Sequence, residues 1–272
     1  MLFHAAARLP ERHTDRDVYL TRQKKNGSIK KMRSFPWYDS QFLSVYFRII
    51  DDCQPDDSFH HAVSSLTTVD DFVARRIDIF DDSEHVQMKQ TAKLLEAEER
   101  FSDHELQEFG RSVIHNHPLF TKIQHRIEKQ VSILVGEPVA STYNFLTTYL
   151  SNGSCPLHLD HPEAKYTVDH VLYSNQDWPL FYSEPRQWPS GTWNTSWDKD
   201  TMKHVRFMNV SLRERDSFLY SGSAQWHYRE KITPVATPPV RARQVILFHF
   251  TPLHSRWIVN ETHMEEKFCE SL

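Results

Sequence analysis

The chain has 272 residues, with 39% hydrophobic and 25% charged residues, which is enough apolar content for a sizeable core. Its formal net charge of −4 and pI near 6.5 offer no general attraction to nucleic-acid phosphates or anionic lipid, although residues 22–33 (RQKKNGSIKKMR) form a local basic run. Three cysteines without a CxxC pair exclude a cysteine-rich zinc module, give no basis for a disulfide framework, and fit a reducing cytoplasm.

Neither a signal peptide nor a membrane span is expected, because no stretch approaches the ~20 apolar residues that a span needs. Residues 1–65 are irregular, with Pro10, Pro36 and Pro55, and FLSVYFRII (42–50) reads as a strand. From Thr67 the pattern changes. Val69, Phe72, Val73 and Ile77 recur at helical spacing, which predicts a first helix over 68–79. A second, charged helix opens at Ser83 and runs to about Arg100. Ser102-Asp-His-Glu105 has capping-box spacing before Leu106, Phe109, Val113 and Ile114, which predicts a third. Pro118 suits the first position of a fourth, whose stripe is Leu119, Phe120, Ile123, Ile127, Val131 and Leu134 and whose end is Gly136.

After Pro138 the pattern becomes β. The segments 142–150, 165–173, 205–212, 216–220 and 243–250 are short, aromatic or β-branched, and separated by turn residues. Helices first and strands afterwards indicate an α+β chain or a helix-buttressed barrel. A single domain is expected, with 1–137 a mainly helical support region, 138–255 a barrel core and 256–272 a tail.

The informative segment is CPLHLDHPEAKYTVDHVLY (155–173), in which His158 and Asp160 stand two apart. On a strand that spacing points both side chains to one face, so an imidazole nitrogen and a carboxylate oxygen can converge on one cation. His227, in QWHYRE, is the best third ligand; His161 and His170 are its rivals. Two His and one carboxylate occupy one face of an octahedron and leave the other open, as non-haem iron(II) oxygenases require.

The surrounding pattern resembles a family, the prolyl-hydroxylase-like branch of the double-stranded β-helix oxygenases that use iron(II) and 2-oxoglutarate. The order Tyr149, Gly153, His158, Asp160 is similar to the family's first half. Asp216-Ser-Phe-Leu-Tyr220, His227 and Arg243-Gln-Val-Ile-Leu-Phe-His-Phe250 are similar to its second half, and the likeness covers about 139–252. Arg215 stands where the family's turn glycine is usual, and Arg243 lies 243 − 227 = 16 residues past the distal His.

The resemblance implies an α+β fold with a double-stranded β-helix, or jelly-roll, barrel buttressed by N-terminal helices. It implies Fe(II), 2-oxoglutarate and O2 as cofactor and cosubstrates, and hydroxylation of a small-molecule, amino-acid or peptide substrate. His158, Asp160 and His227 would hold the metal. Arg243 is the first choice to anchor the distal carboxylate of 2-oxoglutarate, with Arg241 and Arg229 as alternatives, because a planar guanidinium matches a carboxylate. Tyr149 would donate its hydroxyl to the same group. Neither a nucleic-acid nor a membrane partner is implied, and the helices could shape the pocket or a homodimer contact. A cupin-like metalloenzyme that uses no 2-oxoglutarate and a non-catalytic jelly-roll binding protein are the alternatives.

Overall fold

The computed structural model describes residues 49, 53, 56–67, 69, 72–103, 105–185, 205–232, 240–255 and 269, together with the strand backbone of 17–23 and 29–36. Those two backbone segments, β1 (Asp17–Gln23) and β2 (Ile29–Pro36), form an antiparallel hairpin that includes most of the basic run. Of the expected strand over 42–50 only Ile49 lies within the described residues, and it is buried.

Helix α1 (Asp57–Thr67) starts where the Asp56 carboxylate accepts the Ser58 amide at 3.0 Å, and it buries Phe59, Val63 and Leu66 along one face. It ends before the helix expected over 68–79, and no helix occurs over 72–80. There the chain is extended, and Arg75–Ile77 forms strand β3. The helical period does not hold here: Val69, Phe72 and Ile77 do pack on the core, but from a segment whose β-branched residues suit an extended backbone.

Helix α2 (Asp82–Ala97) matches the second expected helix and has a complete capping box. Asp81 accepts the Glu84 amide at 2.8 Å, and Glu84 accepts the Asp81 amide at 3.1 Å. The third expected helix is a single turn, α3 (Leu106–Phe109), closed by Gly110 at φ 62°. Residues Arg111–His115 leave it as strand β4. A side chain at Gly110 would meet the Gly153 Cα at 2.9 Å, so this close approach turns the chain away from helix. Helix α4 (Pro118–Val135) is as expected, with Pro118 opening it and Gly136 at φ 79° ending it.

The remaining strands are β5 (Val139–Leu150), β6 (Cys155–His158), β7 (Tyr166–Ser174), β8 (Leu180–Ser183), β9 (Phe207–Val210), β10 (Ser217–Tyr220), β11 (His227–Arg229) and β12 (Arg241–Pro252). They form two antiparallel sheets, a larger one in the order β3-β10-β7-β12-β5-β4 and a smaller one in the order β6-β11-β8-β9. This is the double-stranded β-helix. The N-terminal region does more than buttress it, since β3 and β4 extend both edges of the larger sheet.

Strand β12 shows how the period of two divides the work. Ile246, Phe248 and Phe250 pack outward with Leu146 and Val168 against Met88 and Ala92 of α2 and Phe120, Ile127 and Val131 of α4. Each fully buried side chain of this kind contributes about 1.5–3 kcal/mol. Val245 and Leu247 point the other way, into the barrel. Finally, Cys53 and Cys269 form a disulfide, which the sequence reading did not expect. The partners are 216 residues apart, so no local spacing announces them; Cys155 remains a buried thiol.

Candidate metal centre

His158 and His227 face each other across β6 and β11 as a direct cross-strand pair, with ring centroids 4.2 Å apart. Asp160 lies two residues past His158, the last residue of β6. Its Oδ1 lies 3.3 Å from His158 Nε2 and 3.4 Å from His227 Nε2, and the three ligand atoms all fall within 4.8 Å of one another. Each ring is held from behind: His158 Nδ1 lies 2.7 Å from the Pro156 carbonyl and His227 Nδ1 2.9 Å from the Gln225 carbonyl. With the Nδ1 protons donated to those carbonyls, the Nε2 lone pairs face a common point. Burial alone would raise the Asp160 pKa, but the imidazoles of His227 and His158 outweigh it and hold the carboxyl well below the usual range. Two buried nitrogens and one ionised oxygen thus converge from adjacent segments.

Of the rival histidines, His161 also lines the cavity but is not part of the converging group, and His170 lies apart from it. His161 Nδ1 accepts the Glu163 amide at 3.1 Å and caps a short 3-10 turn, Pro162–Ala164. His170 lies outside the barrel cavity and contacts His85 Nδ1 at 3.0 Å and Ser217 Oγ at 2.8 Å. His249 stacks on Tyr143, with ring centroids 4.1 Å apart.

A cavity of about 170 Å³ opens on the three ligands. Its apolar wall includes Val113, Phe145, Leu180, Val245 and Leu247, and its polar wall includes Glu105, Arg111, Tyr149, Cys155, Asp169, Tyr220 and Arg229. Arg229, two residues past His227, donates to Asp169 Oδ2 at 3.2 Å and to the Trp178 carbonyl at 2.7 Å, with its guanidinium 5.2 Å from the centre of the Trp178 ring.

Arg243 is fully buried one layer behind this wall. It donates to the Leu212 carbonyl at 3.0 Å and to the Trp178 carbonyl at 3.4 Å, while its Nε has no partner. Burial, followed by the charge of Arg229, pushes its pKa down to about 9. Arg241 is not brought to the cavity; it pairs with Glu96 at 2.6 Å and lies over the Tyr173 ring.

Tyr149 does face the cavity, and its hydroxyl accepts from Arg111 at 2.7 Å. Cross-strand pairing sets Arg111, Tyr149 and Arg243 side by side on β4, β5 and β12. Sequence reasoning missed Arg111, because that stretch was read as helix. It also missed Asp169, the one carboxylate in strand β7.

No family model matches the chain, and no curated protein does. Among solved structures, the chain is similar to the non-heme alpha ketoglutarate dependent carbocyclase SnoK from nogalamycin biosynthesis. The TM-score is 0.51 at 13% identity, over 71% of this chain and 83% of that one. It is also similar to AviO1 from Streptomyces viridochromogenes Tue57, with a TM-score of 0.50 at 11% identity, over 71% of this chain and 95% of that one. At such identities the likeness is one of fold.

Proposed function

We propose that this chain is an iron(II)- and 2-oxoglutarate-dependent dioxygenase that hydroxylates an unactivated C–H bond of a small molecule, amino acid or peptide. The observation that carries this reading is the convergence of His158, Asp160 and His227 on one point inside the double-stranded β-helix. The donor set fits a ferrous ion: two imidazoles and one carboxylate from one side leave the opposite side for cosubstrate and dioxygen. When bound, iron and dioxygen supply the oxidising power, and 2-oxoglutarate (alpha-ketoglutarate) leaves as succinate and CO2.

The protein's own residues then have separable tasks. His158 and His227 offer Nε2, kept available because each Nδ1 is engaged by a backbone carbonyl. Asp160 supplies the negative charge. Arg229 offers the distal carboxylate of 2-oxoglutarate a guanidinium on the cavity wall. Arg229 is hydrogen-bonded to the Asp169 carboxylate, whereas Arg243 behind it donates only to the backbone carbonyls of Trp178 and Leu212, so the pair adds positive charge on this side of the cavity that suits an anion. Tyr149, fixed by Arg111, adds a hydroxyl on the same side of the cavity. Phe145, Leu180, Val245 and Leu247 keep the space between these groups apolar and limit water.

Hydroxylation is favoured over halogenation because Asp160 keeps the position that a halide would need. The similar structure SnoK is a carbocyclase, so ring formation occurs on this fold; a product that gains one oxygen atom separates hydroxylation from cyclisation, which removes two hydrogens. Anaerobic iron(II) should bind at about one equivalent, and His158→Ala or His227→Ala should abolish it. Iron-loaded protein should form succinate from 2-oxoglutarate only with oxygen, and more of it when cell extract supplies a substrate. Iron binding that survives both substitutions, or no 2-oxoglutarate turnover under any of these conditions, refutes the reading.

A further inference from the structure

The carboxylate of Asp160 is held at both oxygens. While Oδ1 faces the two imidazoles, Oδ2 is turned away and accepts from Thr167 Oγ1 at 3.0 Å. The Asp160 amide donates to the Gly222 carbonyl at 2.9 Å, which brings the turn between β10 and β11 against the ligand. That approach leaves no room for a side chain. A Cβ on Gly222 would lie 2.2 Å from Asp160 Oδ2, 2.7 Å from Thr167 Oγ1 and 2.7 Å from the Ala164 carbonyl. The Ala164 oxygen is backbone and cannot rotate away, so the Gly222 turn would have to shift, and the Asp160 carboxylate, at 2.2 Å the tightest contact, would be displaced with it. Because a carboxylate is rigid and planar, moving Oδ2 also swings Oδ1 away from the imidazoles.

The same turn reaches the distal ligand. The Gln225 side chain accepts the Ser221 amide at 2.8 Å and donates to the Ser183 carbonyl at 2.8 Å, and the Gln225 backbone carbonyl accepts from His227 Nδ1. Thr167 is fully buried on β7, paired with His249 of β12 and Tyr220 of β10, so the sheet fixes the direction of its hydroxyl.

We propose that Thr167 and Gly222 are positioning residues that make Asp160 a single-oxygen ligand, Thr167 by engaging Oδ2 and Gly222 by having no side chain. The proposal rests on the metal reading given above. A carboxylate with both oxygens available can take up two positions on a cation; with Oδ2 occupied by Thr167 it takes up one, and the open face stays open.

Cobalt(II) is a suitable probe, since it binds without turnover and its visible spectrum reports coordination number. Thr167→Val should weaken cobalt binding about 10–100-fold, the range for losing a group that orients a metal ligand, and should change the spectrum. Thr167→Ser, which keeps the hydroxyl, should restore both. Gly222→Ala should lose cobalt binding while far-UV circular dichroism in EDTA remains that of the parent. Wild-type affinity and spectrum in Thr167→Val overturn the proposal. So does a Thr167→Ser variant as defective as Thr167→Val, which would make the effect one of packing, and so does cobalt binding undiminished in Gly222→Ala. Wild-type protein that takes up no cobalt refutes the metal reading itself, a separate and recognisable result.

Discussion

Under the proposed function Arg229 would hold the cosubstrate, and its replacement needs care because it is half of a buried pair. Arg229→Ala would leave Asp169 buried and unpaired, a defect of about 3–5 kcal/mol in stability that would mask any effect on binding. Burial already pushes the Asp169 pKa up, with Arg229 opposing it, so removal of Arg229 would drive that carboxyl towards protonation. The informative variant is Arg229→Gln combined with Asp169→Asn, which removes both charges and leaves two amides able to hydrogen-bond across the 3.2 Å contact. Loss of charge-assisted bonds to the distal carboxylate of 2-oxoglutarate amounts to about 1.5–3 kcal/mol. This corresponds to a roughly 10–150-fold weaker Kd. Metal affinity should change far less, because no ligand atom is touched. Equilibrium dialysis of 2-oxoglutarate against cobalt-loaded protein measures both quantities, with Arg243→Gln in parallel. If the double variant binds 2-oxoglutarate as tightly as the parent while Arg243→Gln loses it, the anchor is Arg243 and the assignment of Arg229 is wrong.

Three further outcomes are expected. Burial, and then the neighbouring His85, lower the His170 pKa to about 3, so its stability contribution is complete above the unfolded value of about 6.5 and is lost as pH falls towards 3. Near pH 5 that loss is roughly 2 kcal/mol, read from urea melts as the extra acid sensitivity of wild type over His170→Asn; equal sensitivity in the two proteins counts against it. Arg215 sits at φ 79°, where glycine is preferred, so Arg215→Gly should raise stability by about 0.5–1 kcal/mol despite losing its exposed pairing with Asp82. A lower melting temperature in Arg215→Gly would contradict this. Alkylation in denaturant without reductant should label Cys155 alone, and labelling of all three cysteines would show that Cys53 and Cys269 are not joined.

The triad was legible because the His158-x-Asp160 spacing and the family-like order of residues around it, which adds His227, agree, although the strand itself ends at His158. Helix α4 was legible because Pro118, Gly136 and one apolar stripe all agree. The 68–79 segment was not, since four apolar residues at helical spacing also serve an extended chain whose side chains meet a core. Arg111 was hidden by the same ambiguity: a capping signal at Ser102 cannot reveal that Gly110 must reverse the chain against Gly153. The choice among Arg229, Arg241 and Arg243 was equally out of reach. Arg241 and Arg243 share one strand parity and Arg229 lies two residues from His227, so spacing does not separate them; only the folded arrangement shows that Arg229 lines the cavity, Arg243 lies behind it and Arg241 faces Glu96.

The pairing of His158 with His227 joins residues 227 − 158 = 69 apart, and Asp160 is seated only when the Gly222 turn has arrived. The local segment 158–160 offers only two of the three ligands, and His227 joins them only through long-range strand pairing, so the complete metal site is absent in the first steps of folding. The metal should find its site only after the smaller sheet has closed. Added metal should therefore slow unfolding and leave the refolding rate nearly unchanged, the kinetic mark of a contact absent from the transition state.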